Sequence, residues 1–476
     1  MKLTTEPSPW KPCDLRGVFP DPVSPALFER VGRAVGTMLA PDARALVAGD
    51  FRLGTPTLKQ ALSDGLLSTG VNVLDAGQIP TPVAYFSARR LHADAVLIVT
   101  ASHNPPSHNG LKWMIFPLPP TPEQVEGIRR LAASGRFRQG RAKSESVNLV
   151  PQYREFLIRR FQHLDAGCFS RIVLDAGNGA WAEIAPDIFR RLGFSISCLG
   201  CTPDGHFPQR SPDCSRPANL AGLRAAVAQG TNSLGIAWDG DGDRVAFLDE
   251  TGAHAPADDV SLLLIRQLLP QPAVQESVVI DIKFSDWVRR EVHARSGVPL
   301  LERSGHAFMR TRMLSERALL GVDACGHYFY RELEGGDDGL FSAFFVLDIL
   351  QKAQQPLAEI RRSLPQIFNT PELRLPTELL DFPSISDRLK KVFSPLEVME
   401  TDGIRLVLEE GVVLARESST ESVVSLRIEG FDHAGYKTVL EQTMSTLPEA
   451  RALLEEQLNQ HRLPGLSASQ SASPNR

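Results

Sequence analysis

One order of segments, written three times along the chain, restricts the fold more than any other feature. ALVAGD, the amphipathic TLKQALSDGLLSTG, VNVLDAG, the helical TPVAYFSARRL and the apolar ADAVLIVTAS read as strand, helix, strand, helix, strand. The order returns in RIVLDAGNGA, WAEIAPDIFRRLG, FSISCLG, ANLAGLRAAVAQG and SLGIAWDGDGDR, and more loosely from SVVIDIK to LLGVDACGH. Strands that alternate with helices pair in parallel, because each helix supplies the crossover. The chain is therefore predicted to be α/β, with three tandem doubly wound domains at 1–146, 147–254 and 255–370. A proline-containing stretch, NTPELRLPTELL, then leads into the paired strand signals GIRLVL and GVVLAR, which predict a smaller C-terminal α+β domain at 371–464. The small, polar residues at 465–476 cannot bury enough surface to order themselves and predict a disordered tail.

A length of 476 residues suits several domains, and a net charge of -5 without a basic stripe argues against nucleic acid as a partner. No apolar run approaches the ~20 residues that span a bilayer, and the N-terminal residues lack the apolar core of a secretory signal. The expectation is a cytoplasmic protein with no membrane partner. Six cysteines in so long a chain are too sparse for a disulfide framework, which fits a reducing compartment. Cys198 and Cys201, with His206 and Cys214 nearby, have the spacing of part of a zinc site. At the end of the strand-like FSISCLG they read better as two buried, reduced thiols.

In each α/β unit the most chemically loaded loop follows the third strand, and parallel sheets bind ligands beyond the carboxyl ends of their strands. The loops are TASHNP, DGDGDR and the GVDACGH turn. Asp239, Asp241 and Asp243 alternate with Gly240 and Gly242, a turn able to bring three carboxylates round one hard cation such as magnesium. A solvated acidic turn is the plainer alternative. An EF-hand calcium loop would place Glu250 at its twelfth position, but Arg244 stands at the sixth, where that loop needs glycine, and the flanks read as strands.

Ser102, exposed at a strand end, is a candidate nucleophile or phosphate carrier, against the plainer reading of a hydrogen-bonded turn. His103 beside it suggests a hydrolase pair, yet the G-x-S-x-G elbow of acyl hydrolases is missing. The two loops make more sense together: a phosphoserine carries about -1.5 to -2 charges, which a metal held by three aspartates would offset. Lys112 offers a proton or a positive charge to the same place, or is a solvated surface lysine. Late in the chain, Arg416 stands beside Ser418, Ser419 and Thr420, a composition that either wraps a phosphate or makes a polar turn.

With TASHNPPSHNGLK, DGDGDR and the early Asp14-Leu15-Arg16-Gly17 in this order, the sequence resembles the α-D-phosphohexomutases, in particular the phosphomannomutase/phosphoglucomutase branch, from Asp14 to about Glu429. The resemblance implies four domains around a central cleft, a phosphate on Ser102, and one Mg2+ held by that phosphate with Asp239, Asp241 and Asp243. It makes Arg16 and Lys112 phosphate-side residues that assist proton transfer, and places Arg244, Lys283 and His306 at the substrate. Asp323, Cys325 and His327 fall in the loop that reads the sugar, with His327 also counted among the catalytic residues. Arg416, Ser418, Ser419 and Thr420 match the clamp on the substrate's existing phosphate.

The implied reaction interconverts hexose 1-phosphate and hexose 6-phosphate of glucose or mannose. Its intermediate is a hexose 1,6-bisphosphate, which also serves as activator, and its only implied partner is a small-molecule sugar phosphate. Alternatives are a phosphoglucosamine mutase, a catalytically silent sugar-phosphate binding protein, and a phosphatase. The chain departs from the family where glutamate and serine are usual in the sugar loop, here Asp323 and Cys325, and where Gly49 replaces an arginine before Asp50. The sequence sets no oligomeric state.

Overall fold

The computed structural model of the chain describes residues 8–230, 233–269, 275–418 and 422–461. The expected tail at 465–476 lies outside the described residues. Three sheets follow one another along the chain. The first contains β1 (Leu15–Val18), β2 (Arg44–Gly49), β3 (Asn72–Gln78), β4 (Ala95–Val99), β5 (His108–Ile115) and β6 (Ser144–Ser146), in the order β1-β5-β4-β2-β3-β6. The second contains β7 (Arg171–Asp175), β8 (Ile196–Leu199), β9 (Ser233–Trp238), β10 (Val245–Leu248) and β11 (His254–Ala255), in the order β11-β10-β9-β7-β8. The third contains β12 (Ser277–Asp281), β13 (Val298–Glu302), β14 (Leu320–Val322), β15 (Tyr328–Tyr330) and β16 (Gly336–Asp337), in the order β13-β12-β14-β15-β16.

The parallel pairings β2 with β3 and β4, β7 with β8 and β9, and β12 with β14 are those the repeated order predicts. Each sheet adds an antiparallel neighbour that the three-unit pattern passes over: β5 against β4, β10 against β9, β15 against β14. The three loaded loops are thus the turns into these antiparallel strands. β5 escapes a pattern search because it is buried on both faces and carries Lys112, so neither alternation nor an apolar run marks it.

The helix Gly339–Ala353 is apolar around most of its circumference, and its first twelve residues are buried. A helix with so little polar face belongs in an interior. Phe344 stacks on Phe161 while Phe341 and Phe345 meet it edge-on, and Phe344 lies 4.5 Å from Phe189, ring centre to ring centre.

The chain divides into two compact units, and the division does not follow the repeats. Residues 281–290 and 301–304, from within the third repeat, group with 365–476. In that second unit, strands Phe368–Asn369, Val423–Gly430, Gly411–Glu417, Ile404–Val407 and Glu397–Met399 form an antiparallel sheet, packed against helices Phe382–Val392 and His433–Thr446. The buried Arg405 donates to Ile282 O and Phe284 O at 2.7 and 3.0 Å, and Arg427 donates to Lys283 O at 2.7 Å. These bonds are why the loop carrying Lys283 belongs with that sheet. Among the described residues no helix is long and apolar enough to cross a membrane.

Candidate active site

Ser102 follows β4 with a left-handed backbone, φ +50°, a conformation that costs an L-residue ~1–2 kcal/mol. Its amide donates to Thr100 Oγ1 at 2.9 Å, and its buried Oγ donates to Asp239 Oδ2 at 2.7 Å. The first and second loaded loops therefore meet in one hydrogen bond. Gly240 permits the approach, because a Cβ there would sit 2.5 Å from Ser102 O. Thr81, at the start of the helix Thr81–Arg90, ties the same turn down: its amide donates to Asp241 O at 3.0 Å and its hydroxyl to Asp241 Oδ2 at 2.7 Å.

Asp239, Asp241 and Asp243 are all buried, with one carboxylate oxygen of each inside a common 4.8 Å group. Asp239 Oδ1 accepts from the amides of Gly242 and Arg244. Lys112 is buried, not a surface lysine, and its ammonium donates to Asp241 Oδ2 at 2.7 Å and to Asp243 Oδ2. Burial alone would raise Asp241 and lower Lys112, but their ion pair outweighs it on both sides. Asp241 stays well below the ordinary carboxylate range and Lys112 well above the ordinary amine range. Burial, reinforced by Asp243 and Asp241, pushes Asp239 up to about 8.

Asp241 Oδ1 and Asp243 Oδ1 remain buried with no hydrogen-bond donor. Orphaned carboxylate oxygens in an interior are costly, and a hard cation is the partner that suits oxygens without imidazole or thiolate. The aspartate triplet fits a metal ion on that ground.

The third loop joins the second through an isolated bridge between Arg244 and His327, and Val245 N donates to Gly326 O at 3.1 Å. Arg244 Nε donates to His327 Nε2 at 2.8 Å, while His327 Nδ1 lies 2.8 Å from Asp337 Oδ2. Burial lowers the proton affinity of this ring, and Asp243 and Asp337 raise it overall. The Nε2 lone pair is nevertheless engaged by Arg244, so the imidazole in this arrangement is neutral, with its proton on Nδ1. Asp323 turns its carboxylate back on its own loop, Oδ1 accepting from Cys325 N at 2.7 Å.

Arg16 donates to Asp14 at 2.8 Å and to Asn104 Oδ1 at 3.2 Å, which brings it to the Ser102 loop. Burial, then the charges of Arg244, Arg16 and Lys112, hold His103 far below the ordinary imidazole range. Burial and Lys112 push His306, at the start of the helix His306–Ser315, down to about 3. Both imidazoles are neutral beside the cations Lys112 and Arg16, and His103 Nδ1 lies 3.4 Å from Ser102 Oγ.

In the second unit, Lys283 Nζ lies 3.5 Å from Asp281 Oδ2. Arg416, on the strand Gly411–Glu417, donates from Nε and Nη2 to Asp402 Oδ2 at 3.0 and 2.7 Å, and Ser418 N donates to Val423 O at 2.9 Å. Ser419 and Thr420 lie outside the described residues. The cysteine expectation is corrected on burial: Cys198 is exposed because β8 is the edge strand of its sheet, and Cys201, beyond the end of that strand, is half-buried, while both are free thiols. Among the described residues, neither group of side chains able to hold a metal contains a cysteine.

Residues 11–139, 158–252 and 256–368 match the models for alpha/beta/alpha domains I, II and III of phosphoglucomutase/phosphomannomutase. The chain belongs to the phosphoglucomutase/phosphomannomutase family. It is 32% identical over 422 residues to a phosphomannomutase/phosphoglucomutase of Pseudomonas aeruginosa, covering 87% of this chain and 90% of that protein. A phosphoglucomutase of Neisseria gonorrhoeae is 29% identical over 441 residues, covering 90% and 94%. A crystal structure of a family protein from Burkholderia thailandensis aligns with a TM-score of 0.84 at 30% identity, covering 94% of this chain and 97% of that one. Membership makes the chain a phosphohexomutase, an intramolecular phosphotransferase.

Sequence reading left out Thr81, Asp337, and the buried Asp50 and Arg52. Asp50 and Arg52 had a usable signal, since they stand at the carboxyl end of β2 as Ser102 does after β4. Asp337 precedes an apolar helix beside another aspartate and carries no motif of its own.

Proposed function

We propose that the chain interconverts the 1- and 6-phosphates of glucose or mannose through a phosphorylated Ser102. The observation that carries this reading is the hydrogen bond from Ser102 Oγ to Asp239, beside two buried aspartate oxygens without donors. Asp239, Asp241 and Asp243, with the phosphate on Ser102, would hold Mg2+, which supplies charge stabilisation for the phosphoryl oxygens when bound. Lys112, kept protonated by Asp241 and Asp243, offers its ammonium on the phosphate side, and Arg16 offers its guanidinium there. His327 enters through Arg244, whose guanidinium it aims. Asp323, Cys325, Lys283 and His306 read the sugar. Arg416, Ser418, Ser419 and Thr420 form a second phosphate site, which holds whichever phosphate is not reacting.

The phosphoryl group passes from Ser102 Oγ to the free hydroxyl of the hexose phosphate. The 1,6-bisphosphate then returns its other phosphoryl group to Ser102. In this reading the protein is a cytoplasmic phosphoprotein whose four domains end near 146, 254, 370 and 464.

The test is turnover of glucose, mannose and glucosamine 1-phosphates by purified protein with Mg2+ and a trace of hexose 1,6-bisphosphate. Conversion of a hexose 1-phosphate to its 6-phosphate, abolished by a chelator, is expected. No turnover of any substrate defeats the proposal, a preference for glucosamine 1-phosphate selects the aminosugar mutase, and inorganic phosphate released faster than isomer selects a phosphatase.

A further inference from the structure

Arg52 is a buried arginine outside every motif that marks the site, and all its N–H groups are engaged. Nη2 donates to Ser102 O at 2.7 Å and Asn104 O at 2.6 Å, and Nη1 donates to Pro105 O at 2.6 Å and His108 O at 3.0 Å. Its Nε donates to Asp50 Oδ2 at 3.1 Å. One guanidinium thus holds four carbonyls of the loop that carries the candidate nucleophile. Only the planar five-donor fork of arginine reaches them together, since the ammonium of a lysine has three donors at a single point.

Asp50 grips the other side of Ser102. It accepts from the hydroxyls of Thr100 and Thr55 at 2.7 and 2.8 Å and from Arg52 N at 3.0 Å, while Thr100 Oγ1 accepts from Ser102 N. The amide and the carbonyl of Ser102 therefore lead back to one buried ion pair, and between them the backbone is kept left-handed. Gly49 belongs to this arrangement: a Cβ there would lie 2.4 Å from Thr55 Cγ2, so the arginine usual in the family has no room beside Thr55.

We propose that Arg52, anchored by Asp50, is a positioning residue for phosphoryl transfer, fixing the 102–108 loop so that Ser102 Oγ points at Asp239. The inference rests on the reading of Ser102 as the phosphate carrier. A group that only glued the fold would change stability and leave turnover per folded molecule unchanged. A group that aims the nucleophile changes kcat, since displacements near 1 Å can cost about 10²-fold.

The experiment compares wild type with Arg52→Lys, which keeps the charge and loses the fork, and with Thr100→Val, which keeps the shape and removes the other grip. For Arg52→Lys, kcat per folded molecule should fall about 10- to 100-fold with KM within about threefold, and loading of Ser102 from hexose 1,6-bisphosphate, followed by intact mass, should slow by the same factor. Hydrogen exchange of the amides in 101–109 should quicken about tenfold while the sheets keep their protection. Thr100→Val should show the same pattern with a smaller loss. Wild-type kcat together with wild-type exchange in Arg52→Lys overturns the proposal, and if that variant does not fold, wild-type kcat in Thr100→Val overturns it. Wild-type protein that takes up no phosphate on Ser102 refutes the phosphoserine reading instead, and exchange of 101–109 still decides whether Arg52 holds the loop.

Discussion

The Ser102 loop and the Arg416 loop both suggest phosphate chemistry by composition, yet the protein builds them differently. Around Ser102, Asp239, Asp241, Asp243 and Lys112 are each no more than 2% exposed and tied by several bonds. Arg416 pairs with Asp402 at a half-buried site, and Glu417 next to it is exposed. Charges fixed in a dry interior act strongly and need no reorganisation when charge moves, whereas charges near water are screened. The contrast suits one place that breaks and makes a P–O bond and another that only holds a phosphate, in either of two orientations.

The sharpest way to break this contrast is to delete the proposed phosphate carrier. Ser102→Ala should lower kcat by about 10³-fold or more and abolish the mass gain on incubation with hexose 1,6-bisphosphate. Full activity in that variant removes Ser102 from the chemistry. Arg416→Ala should act on binding instead, raising KM for the hexose phosphate about 10- to 100-fold, the size of a lost hydrogen bond to a charged group, with kcat changed far less. A kcat loss as large as that of Ser102→Ala would erase the distinction between the regions.

The smallest effect concerns stability. Asp338 caps the helix Gly339–Ala353, accepting from Leu340 N, Phe341 N and the Tyr153 hydroxyl. Burial pushes its carboxyl up to about 7 in spite of those donors. A folded-state pKa above the unfolded one means that the neutral form stabilises the fold. That contribution is complete below the ordinary carboxylate pKa and is lost as pH rises through about 7. Thermal unfolding of wild type should therefore move down by a few degrees between about pH 5 and 8, and Asp338→Asn should flatten that slope. An unchanged slope in the variant would assign the pH dependence to other groups.

The repeated segments were legible because a parallel sheet built by crossovers leaves a long regular trace of apolar strands and amphipathic helices. The loops that follow β4, β9 and β14 were legible for the same reason, as strand ends with unusual residues. β5 was not, because a strand buried on both faces and carrying Lys112 resembles neither an alternating nor an apolar segment. Lys112 itself read equally well as a surface lysine, since only its ion pairs with Asp241 and Asp243 make burial tolerable, and those partners lie more than a hundred residues away. The thiol of Cys198 was misread as buried because an edge strand and a central strand look alike in sequence.

Local sequence alone determined the α/β class, the three repeats and the residue types at the three loaded loops, since these depend on periodicity and on chemistry within a few positions. Tertiary structure decided that Ser102 donates to Asp239, that Lys112 is an interior cation, that His327 is held neutral between Arg244 and Asp337, and that Arg52 cages the Ser102 loop. Each of these is a contact between segments far apart in the chain, and a hydrogen bond of under 3 Å between such segments leaves no periodic mark by which either partner could announce the other.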